Sequence, residues 1–273
     1  MQEVATETIL VTGASSGIGR ELAIQLAGPG CEIWLVGRNR ERLEQVAELT
    51  RAKGGRPRII ELDLSDIEES AEILDGTFPS GKRVDAIYLV AAVTLFGEVR
   101  DTLPEDWDRI YRTNLLSPIQ WTRHFYAGMV GRKNGTIVIV SSLAAYSGYP
   151  TATAYATMKA GLLGLFRSLW YEGRSHGVSL HLASPGYVDT GIYRSATFRK
   201  TTFDKTMKQI ENLGFGIISA DDSAARIIRS VRRGKKEFAF PAYASVLKWL
   251  APRSPFIMSL VHSKIIKGFR KAL

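Results

Sequence analysis

Two reactive side chains, Tyr155 and Lys159, lie four residues apart in a segment with helical composition. On an α-helix, positions i and i+4 project from the same face, so the hydroxyl and the ammonium can share one site. Tyrosine alone is a poor base at neutral pH, but a positive charge about 4 Å away favours the phenolate by about 4 kcal/mol at an effective dielectric near 20. The pair therefore predicts an acid–base tyrosine. The alternative is a surface tyrosine and a surface lysine that share this spacing by chance.

A glycine-rich loop follows the first apolar run of the chain. Residues 8–12 predict a buried strand, and a helical pattern covers residues 20–26. Strand, glycine loop and helix in this order predict a site for a dinucleotide pyrophosphate, which the free N–H groups at the helix start attract. The alternative is a tight turn without a ligand. The residues expected to contact a cofactor here are Thr12, Gly13, Ser15, Ser16, Gly17, Ile18 and Gly19.

The second predicted strand, residues 32–36, is followed by two arginines, Arg38 and Arg40. At this distance from the glycine loop an acidic residue suits the ribose of NAD, whereas an arginine suits the 2′-phosphate of NADP. Guanidinium groups match phosphate geometry with two hydrogen bonds. The sequence therefore predicts NADP(H), with Arg38 as the main contact; the alternative is a solvated basic turn.

Seven apolar runs alternate with helical patterns. This alternation predicts an α/β fold of the Rossmann-like, doubly wound type, with a parallel seven-stranded sheet and helices on both faces. Ligands of such sheets bind beyond the carboxyl ends of the strands. We expect one domain over residues 1–273, with a core over about 7–240 and a C-terminal extension over about 241–273. The predicted strands are residues 8–12, 32–36, 58–64, 84–90, 136–140, 178–183 and 237–240.

Composition sets the broad class. Hydrophobic residues make up 45% of the 273 residues and charged residues 23%, which is typical of a folded domain. The single cysteine, Cys31, excludes an intrachain disulfide and fits a small buried residue in a reducing compartment. The four histidines lack metal-ligand spacing, so no metal site is predicted. No secretory signal and no stretch of about 20 apolar residues is present, so we expect a cytoplasmic protein.

With these features in place, the chain resembles the short-chain dehydrogenase/reductase family, in its single-domain branch, over about residues 8–240. One departure follows the fourth strand, where the family carries Asn-Asn-Ala-Gly and this chain has Val90-Ala91-Ala92 after Leu89. We expect Val90 to replace the missing asparagine by packing. The motifs that carry the resemblance are TGxxxGxG at residues 12–19, Asp63-Leu64, Asn114, Ser142, the YxxxK of residues 155–159, and Pro185-Gly186 with Thr190.

The resemblance implies a reaction and a role for each matching residue. A hydride passes between NADP(H) and a carbonyl carbon, while Tyr155 acts as the acid in reduction and the base in oxidation. Lys159 would lower the tyrosine pKa and bind the nicotinamide ribose. Ser142 would orient the substrate carbonyl, and Asn114, in a helix predicted over residues 104–127, would hold a water of the proton relay. The further implied cofactor contacts are Asp63, Leu64, Ala91, Ala92, Pro185, Gly186, Val188 and Thr190.

The C-terminal segment, residues 246–273, carries six cations and no acid, and part of the net charge of +9. Met258, Val261, Ile265 and Phe269 recur there at helical spacing. A basic amphipathic helix can lie on an anionic membrane surface. The alternatives are a lid over the active site and a dimer interface. No nucleic-acid partner is predicted, because no recognition motif accompanies the charge.

The substrate class follows from this tail and from residues 190–216, a basic, aromatic segment that forms the substrate loop in the family that the chain resembles. Both predict a bulky, apolar or lipid-like ketone. A rival function is a non-catalytic NADP-binding sensor or membrane-associated scaffold on the same fold, against which the complete set of Asn114, Ser142, Tyr155 and Lys159 argues. A second rival, an NAD-linked dehydrogenase, is opposed by Arg38.

Overall fold

The computed structural model describes residues 7–271, so residues 1–6 and the last two residues of the predicted extension lie outside it. Seven parallel strands form its central sheet in the order β7-β6-β5-β4-β1-β2-β3. The prediction of a seven-stranded parallel sheet is confirmed. The strands are β1 (Glu7–Thr12), β2 (Cys31–Gly37), β3 (Arg56–Glu61), β4 (Ala86–Leu89), β5 (Gly135–Val140), β6 (Val178–Pro185) and β7 (Glu237–Phe240).

Helices join the strands and cover the sheet. Two-residue strands at Leu95–Phe96, Thr197–Phe198, Val188–Asp189 and Ile218–Ser219 pair outside the main sheet. The helices are α1 (Gly17–Leu26), α2 (Arg40–Ala52), α3 (Ile67–Thr77), α4 (Pro104–Tyr111), α5 (Ser117–Gly131), α6 (Ala144–Ser147), α7 (Thr153–Arg174), α8 (Phe203–Asn212), α9 (Ala220–Arg232), α10 (Ala242–Leu250) and α11 (Pro255–Lys271).

Alternate residues of each strand enter two separate cores, because successive side chains of a strand point to opposite faces. Ile9 and Val11 of β1 pack in the core that α1, α2 and α9 cover. Leu10, between them, packs in the core that α3, α5 and α7 cover. The doubly wound arrangement, with helices on both faces, is therefore confirmed.

The predicted helix over residues 104–127 is interrupted. A π-helical turn, Arg112–Leu116, separates α4 from α5, and the Ser117 N–H bonds to the carbonyl of Arg112, five residues earlier. Pro118 has no N–H, so the carbonyl of Asn114 has no donor four residues later. The proline and the wider turn explain why one predicted helix is two in the structure.

The C-terminal helices pack on the body of the protein. Met258, Ile265 and Phe269 of the predicted apolar stripe are buried. Gln209 of α8 donates to the Ile265 carbonyl at 2.6 Å, and Arg270 forms an ion pair with Glu98 at 2.9 Å. The predicted helical extension is confirmed, and its stripe faces the protein. None of the helices within residues 7–271 combines the length and apolar composition needed to cross a bilayer.

Candidate active site

The Tyr155 and Lys159 side chains share a face of α7 beside the carboxyl end of β5. Lys159 is 2% exposed, and its Nζ donates to the Val140 carbonyl at 2.9 Å. Ser141 Oγ donates to the Lys159 carbonyl at 2.9 Å. The end of β5 therefore holds this turn of α7 in place and sets the position of Tyr155.

Burial disfavours the charged form of each side chain, so it raises the pKa of Tyr155 and lowers the pKa of Lys159. Desolvation raises the pKa of Tyr155 to about 12, and a hydrogen bond with the Ser142 side chain opposes this shift only in part. Desolvation lowers the pKa of Lys159 to about 7. The lowered tyrosine pKa expected from the sequence is therefore wrong for this arrangement. Its physical reason is distance: Lys159 Nζ lies 5.6 Å from the Tyr155 ring centroid and is directed to Val140.

A protonated Tyr155 is accordingly the stable form at neutral pH. This is the form that can give a proton from Oη to a substrate oxygen. Lys159, with a pKa near neutrality, can take up and release a proton at Nζ under the same conditions.

Asn114 lies in the π-helical turn and is fully buried. Its Oδ1 accepts from the Val93 N–H at 2.8 Å, and its Nδ2 donates to the Val93 carbonyl at 2.7 Å. The side chain thus fastens the loop after β4, and it does not line either of the two cavities described below. Pro118 removes the donor that the backbone carbonyl of Asn114 would have four residues later in an α-helix.

A cleft of about 1560 Å³, open to solvent, runs along the carboxyl ends of the strands. The cleft is lined by residues at the carboxyl ends of six different strands: Gly13, Arg38, Asp63, Ala91, Ser142 and Pro185. The remaining predicted residues that line it are Ser15, Ser16, Gly17, Ile18, Gly19, Leu64, Ala92, Tyr155, Lys159, Gly186, Val188 and Thr190.

Thr12 is the predicted cofactor residue that does not line the cleft. Its Oγ1 accepts from the N–H groups of Val90, at 3.0 Å, and Ala91, at 3.3 Å. Val90 packs against the core that α1 covers. Packing by Val90 and the Thr12 hydroxyl together hold the end of β4 to β1, where the family carries an asparagine.

The glycine loop leaves room for a ligand beside the backbone. Gly13 has a φ of +69°, and a Cβ there would lie 2.9 Å from the Ala91 Cα. A Cβ at Gly19 would collide with the Gly13 carbonyl oxygen, so glycine lets α1 approach β1 closely. Helix α1 begins after Ser16 without a side-chain cap and without an acid in its first turn. These features fit a dinucleotide pyrophosphate at the helix start.

Two arginines line the other end of the cleft. Arg38 Nη1 lies 3.8 Å from Asp63 Oδ2, and both side chains are exposed. Burial opposes ionisation of Asp63, but hydrogen bonds from Ser65 and the Arg38 charge hold its pKa below the usual value. Arg42, which sequence reasoning missed, also lines the cleft. Arg40, the second candidate, does not line it and pairs with Glu44 at 3.1 Å.

The signal for Arg42 was present in the sequence. Asn39 caps α2, and its Oδ1 accepts from the Arg42 N–H at 2.8 Å. An asparagine cap before a helical pattern places the residue three positions later in the first turn, facing the strand ends.

A second cavity, of about 870 Å³, opens from the cleft at Ser142 and Tyr155, which line both. Its lining residues contain no Asp, Glu, Lys or Arg. Six aromatic side chains line it besides Tyr155: Phe96, Tyr149, Tyr187, Tyr193, Phe215 and Tyr243. The C-terminal helix α11 contributes Met258, Val261, His262 and Ile265.

Hydrogen bonds and ring contacts order these aromatic groups. Tyr187 Oη donates to Tyr149 Oη at 3.0 Å, and the Tyr187 N–H donates to Tyr243 Oη at 2.7 Å. The rings of Phe215 and Tyr243 stack with centroids 4.9 Å apart. Apart from Tyr193, these residues were not singled out from the sequence, because no motif links such distant positions.

The predicted substrate segment, residues 190–216, contributes apolar and aromatic groups to the cavity and keeps its charges outside. Ile192, Tyr193 and Phe215 line the cavity. Arg199 is paired with Asp106 of α4 through two hydrogen bonds of 2.8 Å. Of the three alternatives for the tail, the structure shows helix α11 packed over the active site. Its apolar stripe is not available to a membrane.

Comparison with known proteins gives concordant results. A family model described as short chain dehydrogenase matches residues 7–200. The 11-beta-hydroxysteroid dehydrogenase-like 3 of Arabidopsis thaliana is 30% identical over 97% of this chain and 80% of its own length. A metagenomic short-chain oxidoreductase in complex with NADP is 27% identical, with a TM-score of 0.69 over 87% of this chain and 97% of that chain. A short-chain dehydrogenase/reductase from Burkholderia phymatum in complex with NAD, 22% identical, has a TM-score of 0.78 over 91% and 94% of the two chains and shows the likeness of fold.

Proposed function

The chain belongs to the short-chain dehydrogenase/reductase family of oxidoreductases, and we propose that it interconverts a bulky, apolar ketone and its secondary alcohol with NADP(H). One observation carries the proposal. Ser142 and Tyr155 line both the solvent-open cleft at the strand ends and the aromatic cavity beyond it. An acid–base tyrosine therefore lies where a cofactor in the cleft and a substrate in the cavity would meet.

In the proposed reduction, Ser142 Oγ and Tyr155 Oη hold the substrate carbonyl oxygen. When bound, NADPH supplies the hydride that adds to the carbonyl carbon. Tyr155 Oη gives its proton to the carbonyl oxygen as the alcohol forms. Because the pKa of Tyr155 is raised to about 12, the hydroxyl is protonated at neutral pH and can act as the acid in the reduction.

Reprotonation of Tyr155 falls to Lys159 and Asn114. Lys159 Nζ changes its charge near neutral pH, since its pKa is about 7, and can pass a proton toward Tyr155. The Asn114 carbonyl, without a helical donor, would accept from a water on the route to solvent. The Asn114 side chain acts as a positioning group, because both of its polar atoms are bound to Val93.

The proposed cofactor is NADP(H), and the support is the pair of guanidinium groups at the cleft end. The start of α1 would bind the pyrophosphate, and Arg38 with Arg42 would bind the 2′-phosphate. The similar solved structures hold NADP in one case and NAD in the other, so the choice rests on these arginines.

Exchange of one arginine tests the cofactor. We expect Arg38→Asp to lower kcat/KM for NADPH about 100-fold and to leave or improve that for NADH, since two charge-assisted hydrogen bonds are lost. Arg40→Asp is the matched control, because Arg40 pairs with Glu44 outside the cleft. Equal losses with both cofactors, or equal effects of both substitutions, would contradict the assignment.

The proposed substrate class follows from the cavity. A cavity lined mainly by aromatic and aliphatic side chains, without an Asp, Glu, Lys or Arg, suits a large neutral molecule, such as a lipid-like or polycyclic ketone. The name of the Arabidopsis relative, a hydroxysteroid dehydrogenase-like protein, agrees with a bulky substrate.

The decisive measurement is NADPH oxidation with a panel of ketones of increasing size. We expect kcat/KM to rise with apolar size and kcat to fall about 10³-fold in Tyr155→Phe. Tyr149→Phe, in the same cavity, is the control and should retain most of the activity. If NADPH binds and no ketone is reduced, the proposal fails and the non-catalytic sensor or scaffold takes its place.

A specific observation also favours contact with an anionic membrane, through the outer face of α11 rather than through its buried stripe. Phe256 and Leu260 are exposed there, and Trp249 is exposed on the neighbouring helix α10. Lys264 and Lys267 follow on the same face at helical spacing, and neither has an ion pair to any residue from 7 to 271. Exposed aromatic groups beside unpaired cations are typical of helices that lie on membrane surfaces.

Vesicle sedimentation tests this contact. The protein should bind vesicles that contain phosphatidylserine and not neutral ones, and Phe256→Ser with Leu260→Ser should reduce binding about tenfold. Leu49→Ser, an exposed leucine on α2, is the control. No binding by the wild type, together with a mass in solution twice that of the chain, would assign this face to a dimer instead.

A further inference from the structure

His262 lines the substrate cavity and carries an ionisable imidazole. The other ionisable side chains in the lining are tyrosines. It lies on the inner face of α11 between apolar neighbours, Met258 and Ile265, which line the same cavity. The helix thus places an imidazole in a wall whose other polar side chains are hydroxyl groups.

His262 differs in its hydrogen bonds from His124, which is partly buried, and from His181, which is buried. His124 Nε2 lies 2.8 Å from the Phe78 carbonyl, and His181 Nδ1 lies 2.7 Å from the Lys235 carbonyl. His262 is partly buried, and its imidazole has no hydrogen bond or ion pair to any group in the described part of the chain. Both ring nitrogens are therefore free to bind a ligand group or solvent.

The position of His262 places it at the outer end of the cavity. Together with Ser147 it also lines two clefts that open at the surface, one beside Pro255 and Ile266 and the other beside Thr157. Ser142 and Tyr155 lie where the cavity meets the cofactor cleft, which His262 does not line. A substrate whose carbonyl is held by Tyr155 would therefore extend toward His262.

We propose that His262 binds a second polar group of the substrate, a neutral hydroxyl or carbonyl at the end remote from the reacting ketone. This proposal rests on the proposed ketone reductase function and narrows its substrate class to bulky apolar ketones with a distal polar group. A neutral imidazole can both donate and accept, which matches a hydroxyl. Desolvation lowers the pKa of His262, and no charged side chain lines the cavity, so the neutral ring is the form that a substrate meets at neutral pH.

His262 is then a specificity-determining residue contributed by the C-terminal helix. The hydrogen bond adds affinity for the substituted ketone and none for an unsubstituted one. Sites that hydrogen-bond a substrate group discriminate strongly against analogues without it, because the polar group of the protein stays unpaired.

The test compares two ketones with the same ring skeleton, one with and one without a distal hydroxyl. We expect His262→Leu to lower kcat/KM for the hydroxylated ketone about 10–100-fold, mainly through KM, and to leave the unsubstituted ketone unchanged or improved. His262→Gln keeps a donor and an acceptor and should recover part of the loss. Met258→Leu, on the same face, controls for repacking of the helix.

Calorimetric binding of the same two ketones to the NADPH-loaded protein gives the comparison without turnover. Equal losses for both ketones in His262→Leu would show an effect on the helix alone and overturn the proposal. If His262→Leu bound both ketones as tightly as the wild type, His262 would contact only solvent, and the proposal would be wrong. A wild type that discriminates the two ketones in binding but reduces neither would contradict the reductase function while retaining the role of His262.

Discussion

The cofactor cleft and the substrate cavity, which meet at Ser142 and Tyr155, are lined by different kinds of residue. The cofactor cleft is lined largely by residues of the loops that follow successive strands, with the small residues Gly13 and Ala91 in close approach to each other. The substrate cavity is lined by large side chains from six separate segments and is closed by α11. The shape of the first therefore depends on the sheet, whereas the shape of the second depends on side chains that can change without disturbing the sheet.

Their electrostatics differ in the same way. Arg38, Arg42, Asp63 and Lys159 line the cleft, and His262 is the basic residue of the cavity. This distribution of charge suits the proposed binding of a phosphate-bearing cofactor in the cleft and of an apolar substrate in the cavity. Tyr155 lies between them, and burial there governs its pKa and that of Lys159.

Replacing Lys159 should have the largest effect, because the buried positive charge of this cleft residue lowers the stability of the protein. The folded-state pKa of Lys159, about 7, lies below the ordinary lysine pKa of 10.5, so the unfolded state binds more protons between these pH values. Wild-type stability should therefore rise with pH from 7 to about 10.5 and stay lowest, with respect to this group, below pH 7. At pH 7 the unfavourable contribution is about 4 kcal/mol.

Lys159→Met should accordingly lower kcat about 100-fold while raising the free energy of unfolding at pH 7. The substitution also leaves the Val140 carbonyl without its donor, which lowers the free energy of unfolding by about 1–3 kcal/mol. We therefore expect a net increase in the free energy of unfolding of about 2 kcal/mol at pH 7, and a smaller increase toward pH 10.5. Urea unfolding over this pH range measures it, with exposed Lys208→Met on α8 as the control. A gain that stays constant with pH would show that the lysine is not buried in a neutral form.

Adding one methyl group to the glycine loop tests the dependence of the cleft on backbone shape. Gly13→Ala should weaken NADPH binding about 10–100-fold, because its φ of +69° and the contact with Ala91 both disfavour a Cβ. Fluorescence titration with NADPH measures the change. Gly28→Ala is the control, since a Cβ at Gly28 meets nothing within 4 Å. If Gly13→Ala and Gly28→Ala bound NADPH with similar affinity, the shape of the cleft would not depend on the backbone at Gly13.

Removing one methylene from the cavity wall tests its dependence on side chains and should have the smallest effect. Ile265→Val should change KM for a bulky ketone up to about tenfold and lower stability by about 1 kcal/mol, while NADPH affinity stays the same. Leu260→Ala, on the exposed face of the same helix, should alter neither constant. A change in NADPH affinity with Ile265→Val would mean that the two cavities are coupled.

Local patterns in the sequence predicted the first cavity well, for reasons seen in particular elements. Strand β1, the glycine loop and α1 are consecutive, so their composition specifies both the elements and the turn that joins them. Arg38 and Asp63 could be placed at one edge because parallel strands end together. Three details were not foreseen: the π-helical turn at Asn114, the role of Thr12 behind the cleft, and the direction of the Tyr155 pKa.

Those details depend on burial and on contacts between distant residues. Thr12 meets Val90 across two neighbouring strands, and the pKa of Tyr155 reflects how far Lys159 lies from it after packing. Neither quantity has a local signature.

The amino-acid sequence alone determined the doubly wound sheet and the glycine loop, and it brought Ser142, Tyr155 and Lys159 to one cleft, because hydrophobic periodicity and short motifs act over neighbouring residues. Packing alone decided the substrate cavity and the use of the C-terminal helix. The amphipathic pattern of α11 showed that one face is buried but not against what, since an apolar stripe fits a lid, a partner subunit or a membrane equally well. Contacts such as that of Gln209 with the Ile265 carbonyl hold the stripe over the active site.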